Sequence, residues 1–310
     1  MIVSCGEALI DFVPKKTGPL GYTPCPGGSP FNLAIAVARL GTPAGFISKI
    51  STDLFGDMLF NRLASEGVDT RFTLRSDRPS TLAFVKIEAG QEPRYAFYTE
   101  NTADRSLSVS DISSPLPNEV KCLEFGSISL LLNPQGDTIK SLIRRESGKR
   151  VISFDPNVRP MLIPDKAAYT REMEQLAALA DIIKVSGADL EWMYPQRPVV
   201  KSAEDWLARG AKAVVVTRGK DGAMLLASDF RVEVPEYFVT VKDTIGAGDT
   251  FHAAFLSRLF QNDLLTPEAL AHLQKDAAQD AVSYAVKASS LNCARQGADP
   301  PTAEEMAAAK

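Results

Sequence analysis

Beyond residue 111 the chain alternates short apolar runs with amphipathic stretches. Cys122-Leu-Glu-Phe-Gly126, Val151-Ile-Ser-Phe-Asp155, Ile182-Ile-Lys-Val-Ser186 and Ala213-Val-Val-Val-Thr217 read as strands, and residues 136–146, 169–180 and 203–209 between them as helices. Near-continuous apolar strands separated by helices predict a parallel sheet with crossover helices, covered on both faces. Ahead of this region, Ile2 to Cys5 reads as a buried strand that runs out into an extended segment ending at Pro14, and Phe46 to Ile50 as a second strand. The Ala-rich run from Leu33, stopped by Gly41, reads as a helix, as does 58–66. Between 72 and 98 the texture is β-rich: Thr81–Glu88 and Arg94–Tyr98 form a hairpin about Ala89–Pro93, and with residues 11–24 they predict a small sheet apart from the main one. The pattern therefore predicts one α/β domain over 1–310, with its function at the carboxyl ends of the parallel strands.

Composition narrows the chemistry. The chain has 310 residues, 45% of them hydrophobic, and a net charge of −4 without a basic cluster, so nucleic acid and anionic membrane surfaces are poor partners. Cys5, Cys25, Cys122 and Cys293 form no CxxC pair, which argues against a disulfide framework or zinc site and for reduced thiols. Only His252 and His272 are present, too few for histidine-rich metal clusters, and His252 reads as a packing residue. No apolar run approaches the ~18 residues of a membrane span, and no secretory leader is visible. The expectation is a cytoplasmic protein with a small-molecule partner.

The stretch with the clearest chemistry is Asp243-Thr-Ile-Gly-Ala-Gly-Asp249, which opens directly into the apolar run Thr250 to Phe260. The first-turn amides of a helix have no internal acceptors and its dipole favours negative charge, so a glycine turn there makes an anion site. Asp249 adds a negative charge where a phosphate would sit. Either it caps the helix, or it takes the proton of a hydroxyl attacking phosphorus. The helix end is expected to keep it ionised.

This stretch, D-T-x-G-A-G-D, resembles the C-terminal signature of the PfkB/ribokinase-like carbohydrate kinases. Gly27, Gly28 and Asn32 match that family's N-terminal G-G-x-x-x-N signature. The resemblance covers nearly the whole chain and implies a three-layer α/β/α ribokinase-like fold, with the small sheet acting as a lid over the sugar and often pairing in a homodimer. It further implies Asp249 as catalytic base, with Gly246, Ala247 and Gly248 as the anion hole, and Asp11, Gly28 and Asn32 as sugar ligands. Tyr98, of the aromatic pair Phe97-Tyr98, and Arg159, of Asp155-Pro-Asn-Val-Arg159, join the substrate side. Lys184, Ser186, Thr217, Gly219, Gly222 and Asn292 fall on the nucleotide side. Where many relatives have N-x-x-E beside a hydrated Mg²⁺, this chain has Ser186-Gly-Ala-Asp189, which makes Asp189 the metal candidate. Asp53 and Asp57 read as cap and turn residues. The implied cofactors are ATP and Mg²⁺, with a monovalent cation such as K⁺ in addition.

Within the family, G-G-S-P-F-N-L-A, F-Y-x-x-x-T-A-D and C-x-R-x-G-A-x-P-P most resemble the bacterial fructokinases, which implies phosphorylation of fructose to fructose 6-phosphate. The alternative is 2-keto-3-deoxygluconate kinase. Thr99 and Glu100 follow the aromatic pair where relatives acting on that keto acid carry Arg, which favours a neutral sugar, while Arg105 and Arg159 keep the alternative open. A non-catalytic sugar-binding regulator on the same fold would not need Asp249. A nicotinamide-dependent dehydrogenase is disfavoured, since no G-x-G-x-x-G follows the first strand.

Overall fold

The computed structural model describes residues 1–15, 21–86 and 94–309, with side chains for all of these except residues 86, 94 and 95. In chain order the strands are β1 (Ile2–Cys5), β2 (Leu9–Pro14), β3 (Tyr22–Gly27), β4 (Ala44–Ser51), β5 (Thr73–Ser76), β6 (Thr81–Lys86), β7 (Arg94–Tyr98), β8 (Cys122–Gly126), β9 (Val151–Asp155), β10 (Ile182–Ser186), β11 (Ala213–Thr217), β12 (Ala223–Leu226) and β13 (Arg231–Val234). The helices are α1 (Ser29–Arg39), α2 (Leu54–Ser65), α3 (Gln135–Glu146), α4 (Lys166–Ala177), α5 (Gly187–Met193), α6 (Val199–Ala208), α7 (Ala247–Gln261), α8 (Pro267–Ala271), α9 (Lys275–Cys293) and α10 (Ala303–Ala308).

Nine strands form the central sheet in the order β13-β12-β11-β10-β9-β8-β1-β4-β5, all running the same way except β12, which pairs antiparallel with β11 and β13. Side chains alternate across it, so Ile2, Phe46, Cys122 and Ile182 pack against α1, α7 and α9. Val3, Ile47, Leu123 and Ile183 pack against α3, α4 and α6. Burial on both faces explains why these strands read as unbroken apolar runs. The order reverses at β1, with β4 on one side and β8 on the other. In parallel sheets such a switch point opens a crevice at the strands' carboxyl ends. Glu7 leaves β1 there.

The second sheet has the order β3-β2-β6-β7. It departs from the sequence reading in three places. Thr73–Ser76 does not belong to it but pairs in parallel with β4 in the central sheet, so the 72–98 boundary is too wide. On the other side the strand continues past residue 24 to Gly27, and Pro24 and Pro26 are tolerated because β3 is an edge. The first strand of this sheet begins at Leu9, two residues ahead of the expected start at 11. The Ala89–Pro93 turn and part of the Lys15–Pro24 loop lie outside the described residues. Among the described residues, no helix is long and apolar enough to cross a membrane.

Candidate active site

Gly246 is the N-cap of α7 and adopts φ 73°, a left-handed conformation that favours glycine. A Cβ there would lie 2.7 Å from the Ala298 side chain. The turn is locked from behind: Asp243 Oδ1 accepts from the Ile245 amide, and Oδ2 from the Gly297 amide. The Asn292 amide group donates to the Ile245 carbonyl at 2.8 Å and accepts from the Asp299 amide at 3.0 Å. Asn292, expected on the nucleotide side, is fully buried and works as a clamp between two loops. The Ala247 amide closes the turn onto the Thr244 carbonyl.

Asp249 stands in the first turn of α7 but does not cap it, since no side chain does. Its carboxylate instead reaches α1. Asn32 Nδ2 donates to Oδ2 at 2.9 Å and Ser29 Oγ to Oδ1 at 2.6 Å. The helix end is expected to lower its pKa, but the net shift runs the other way. Burial pushes its pKa above the ordinary carboxylate value, and the two hydrogen bonds with the Lys184 charge only partly offset this.

Beneath the turn, Lys184 and Asp155 form a buried ion pair of 2.8 Å between β10 and β9. A Cβ on Gly248 would sit 2.9 Å from Lys184 Nζ, so a side chain there would push the ammonium from its place against this backbone. Burial opposes the charge on Lys184, but Asp155 outweighs it and the net shift is upward. His252, one turn further along α7, is wholly buried against Ser153 Oγ at 2.6 Å, and burial pushes its pKa down to about 3, which leaves it neutral. It is a packing residue, as the sequence suggested.

Two depressions flank the Gly246–Asp249 turn. One is lined by Thr217, Gly219, Gly222, Glu236, Ala247, Gly248 and Ser289, so three of the nucleotide candidates meet two residues of the expected anion hole. The other, about 300 Å³, is lined by Cys25, Asn32, Arg62 and the 296–300 loop. Asp11 borders the same region from the small sheet. Its Oδ2 lies over Gly27, where a Cβ would come within 2.5 Å, and its pKa is pushed up to about 6 by burial, lowered by Arg159 and raised by Glu7 and Asp249. Gly28 has φ 111°, and a Cβ there would meet the Glu7 carbonyl oxygen at 2.7 Å.

Other candidates are placed differently from expectation. Tyr98 pairs with Leu82, in the register of Ile10, and so faces away from Asp11. Its ring meets Phe84 edge-on and is 62% exposed. Phe97 is the member of the aromatic pair that shares a face with Asp11 and Ala83. Ser186 caps α5 in a reciprocal box with Asp189, whose Oδ1 also accepts from the Val158 amide. Both Asp189 oxygens thus have backbone partners, and among the described residues no three His, Cys, Asp or Glu side chains converge as a metal site. Arg159 bonds to Asn157, its charge facing Asp11 and Asp189. Asp53 caps α2, accepting from the Phe55 and Gly56 amides. The sequence reading passed over Ser29 and Glu7; Ser29 at least stands inside the G-G-x-x-x-N signature, whereas Glu7 lies outside both signatures.

A family model described as pfkB family carbohydrate kinase matches residues 1–305. A fructokinase from Rhizobium leguminosarum bv. trifolii is 44% identical over 279 residues, 89% of this chain and 85% of the relative. The crystal structure of fructokinase with bound ATP from Xylella fastidiosa superposes with a TM-score of 0.90 at 27% identity, covering 99% of this chain and 97% of that one. A fructokinase double mutant from Vibrio cholerae O395, in a fructose-, ADP- and potassium-bound form, gives a TM-score of 0.83 at 26% identity over 96% of this chain and 93% of its own. With its three-layer architecture, second sheet and intact glycine turn, the chain belongs to the pfkB family of carbohydrate kinases and is an ATP-dependent sugar kinase.

Proposed function

We propose that the acceptor is D-fructose, phosphorylated to fructose 6-phosphate, with Asp249 as the general base. The observation that carries this reading is the place of Asp249: a buried carboxylate between the Thr217–Gly222 cleft and the Asn32–Asp11 side. A sugar hydroxyl there can hand its proton to the carboxylate while its oxygen attacks the γ-phosphorus and ADP leaves. The raised pKa suits this role, because a base closer to neutrality accepts the proton more readily. The Gly246 and Gly248 amides and the Lys184 ammonium would stabilise the migrating phosphoryl group, the Ala247 amide being taken up by the Thr244 carbonyl.

Asp11, Gly28 and Asn32 would hold the sugar, a carboxylate being able to accept from two adjacent hydroxyls. Mg²⁺ would be held by the nucleotide phosphates and water; Asp189, whose two oxygens already have backbone partners, would contribute only its charge nearby. That ion neutralises phosphate charge when bound. A monovalent cation, as in the potassium-bound Vibrio cholerae fructokinase, would be a further cofactor. The small sheet would close over the sugar and exclude water, and its aromatic face would pair with a second copy. The four free thiols accord with a cytoplasmic setting.

The relative's name favours fructose over 2-keto-3-deoxygluconate. So does the charge inventory, because Arg105 is engaged by Glu100 and the Thr99 and Asn133 carbonyls, and Arg159 faces acids. The test is ADP release across fructose, 2-keto-3-deoxygluconate, ribose, nucleosides and fructose 6-phosphate. Fructose should give the highest kcat/KM; preference for the keto acid would overturn the substrate, and sugar binding without turnover would point to a silent regulator.

A further inference from the structure

The base has two supports, and only one of them was assigned a role. Asn32 sits on Asp249 Oδ2 and is also a sugar candidate. Ser29 sits on Oδ1 with the shortest hydrogen bond to this carboxylate, 2.6 Å. Behind Ser29 stands Glu7. Its Oε1 accepts from the Ser29 backbone amide at 3.2 Å, its own amide donates to Ser129 Oγ at 2.9 Å, and the Ser129 hydroxyl returns to Glu7 Oε2. Glu7 is 1% exposed and leaves β1 at the switch point of the sheet. The two corners interlock: a Cβ on Gly6 would lie 2.3 Å from Ser129 Oγ and 2.5 Å from Pro30 Cγ, and one on Gly28 would strike the Glu7 carbonyl. Pro30 then fixes the first turn of α1. A free carboxylate swivels about its last torsion, and catalysis needs one lone pair aimed at the acceptor hydroxyl.

We propose that Ser29, held by the buried Glu7, is a positioning residue that fixes the Asp249 carboxylate for proton transfer. Glu7 touches neither reactant; it sets the corner from which Ser29 reaches the base. The inference rests on Asp249 being the base.

The experiment is steady-state kinetics of the full chain with D-fructose and ATP, alongside Asp249→Asn. Ser29→Ala should lower kcat by about tenfold or more while leaving both KM values within about twofold, since a misaimed group loses rate rather than binding. Ser29→Thr, which keeps the hydroxyl, should recover most of kcat. Glu7→Gln should also retain most of it, because its amide oxygen can still accept from the Ser29 N–H, whereas Glu7→Leu should fall with Ser29→Ala; if Glu7→Leu does not fold, the other three variants carry the test. Adding Ser29→Ala to Asp249→Asn should cost nothing further, because a group acting through another has no effect once that one is gone. A kcat for Ser29→Ala within about twofold of the parent, a loss confined to the fructose KM, or full additivity in the double variant would overturn the proposal. If Asp249→Asn itself keeps its kcat, the base reading fails; if Asp249→Asn is slow and Ser29→Ala is not, the positioning role fails alone.

Discussion

The two sheets of this kinase hold their charges in different ways. In the central sheet the charges are packed under helices on both faces: Lys184 and Asp155 are 5% and 2% exposed and in contact. In the small sheet one face carries Asp11 and meets Ile128 through Leu9 and Ala83. The other is anchored in the main core by Ile10 and carries the aromatic cluster of Phe12, Phe84, Tyr22 and Tyr98, braced by Phe55 of α2 and open at Tyr98. Its proposed sugar ligand, Asp11, stays half-buried, and burial raises its pKa to about 6 against the lowering pull of Arg159. A charge locked on two sides can be aimed before substrate arrives, and one on a thinly covered sheet can be completed by the substrate. The central sheet therefore suits the transferring group, and the small sheet suits sugar recognition.

The largest expected effect breaks the rigid side. Asp249→Asn should lower kcat by about 10²-fold or more with little change in sugar affinity. In the parent, kcat should fall as pH drops through the Asp249 pKa, since the base must be ionised, and burial places that acid limb above the usual carboxylate range. An unchanged kcat in the variant, or a limb at the ordinary carboxylate pKa, would put the base elsewhere.

Lys184→Met should be the next most damaging change, because it strands Asp155 without its cation inside the sheet; loss of one partner of a buried pair costs about 3–5 kcal/mol. Denaturant unfolding measures this, and removing both charges, with Lys184→Met and Asp155→Leu together, should recover part of it. Equal stability of Lys184→Met and parent would show that the pair is not locked as described.

On the other sheet, Asp11→Asn should raise the fructose KM by about tenfold, the scale of one good charge-assisted hydrogen bond, with a smaller change in kcat. The parent's fructose KM should rise as pH falls through about 6, as Asp11 takes up a proton, and Asp11→Asn should lose that dependence. A parent KM that stays flat across this range removes Asp11 from the sugar site. The smallest effect is expected at Tyr98. Tyr98→Ala should leave the fructose KM within about twofold, because the residue faces away from Asp11. A large rise would place Tyr98 in the sugar site after all, whereas a shift in sedimentation at unchanged KM would mark the aromatic face as the subunit contact.

The strands from 122 to 217 were legible to the residue because burial on both faces writes an uninterrupted apolar run into the chain. The glycine turn was legible because left-handed backbone and close approach leave glycine few substitutes. The small sheet was read less well. Thr73–Ser76 has the same texture as Thr81–Lys86, yet joins the other sheet, since strand propensity does not name a partner. For Phe97-Tyr98, alternation shows that the two rings point apart, but only the pairing with β6 decides which one faces Asp11.

The four parallel strands from 122 to 217, the strand-to-turn-to-helix geometry at Gly246 and the presence of an acid at the helix mouth follow from the sequence alone, because each is encoded within a few neighbouring residues. The depth of Asp249, the upward shift of its pKa, the Ser29–Glu7 support and the Lys184–Asp155 pair under Gly248 were decided by tertiary structure. They join residues as far apart as 29 and 249, and desolvation and aim depend on what packs around a group, which no local pattern records.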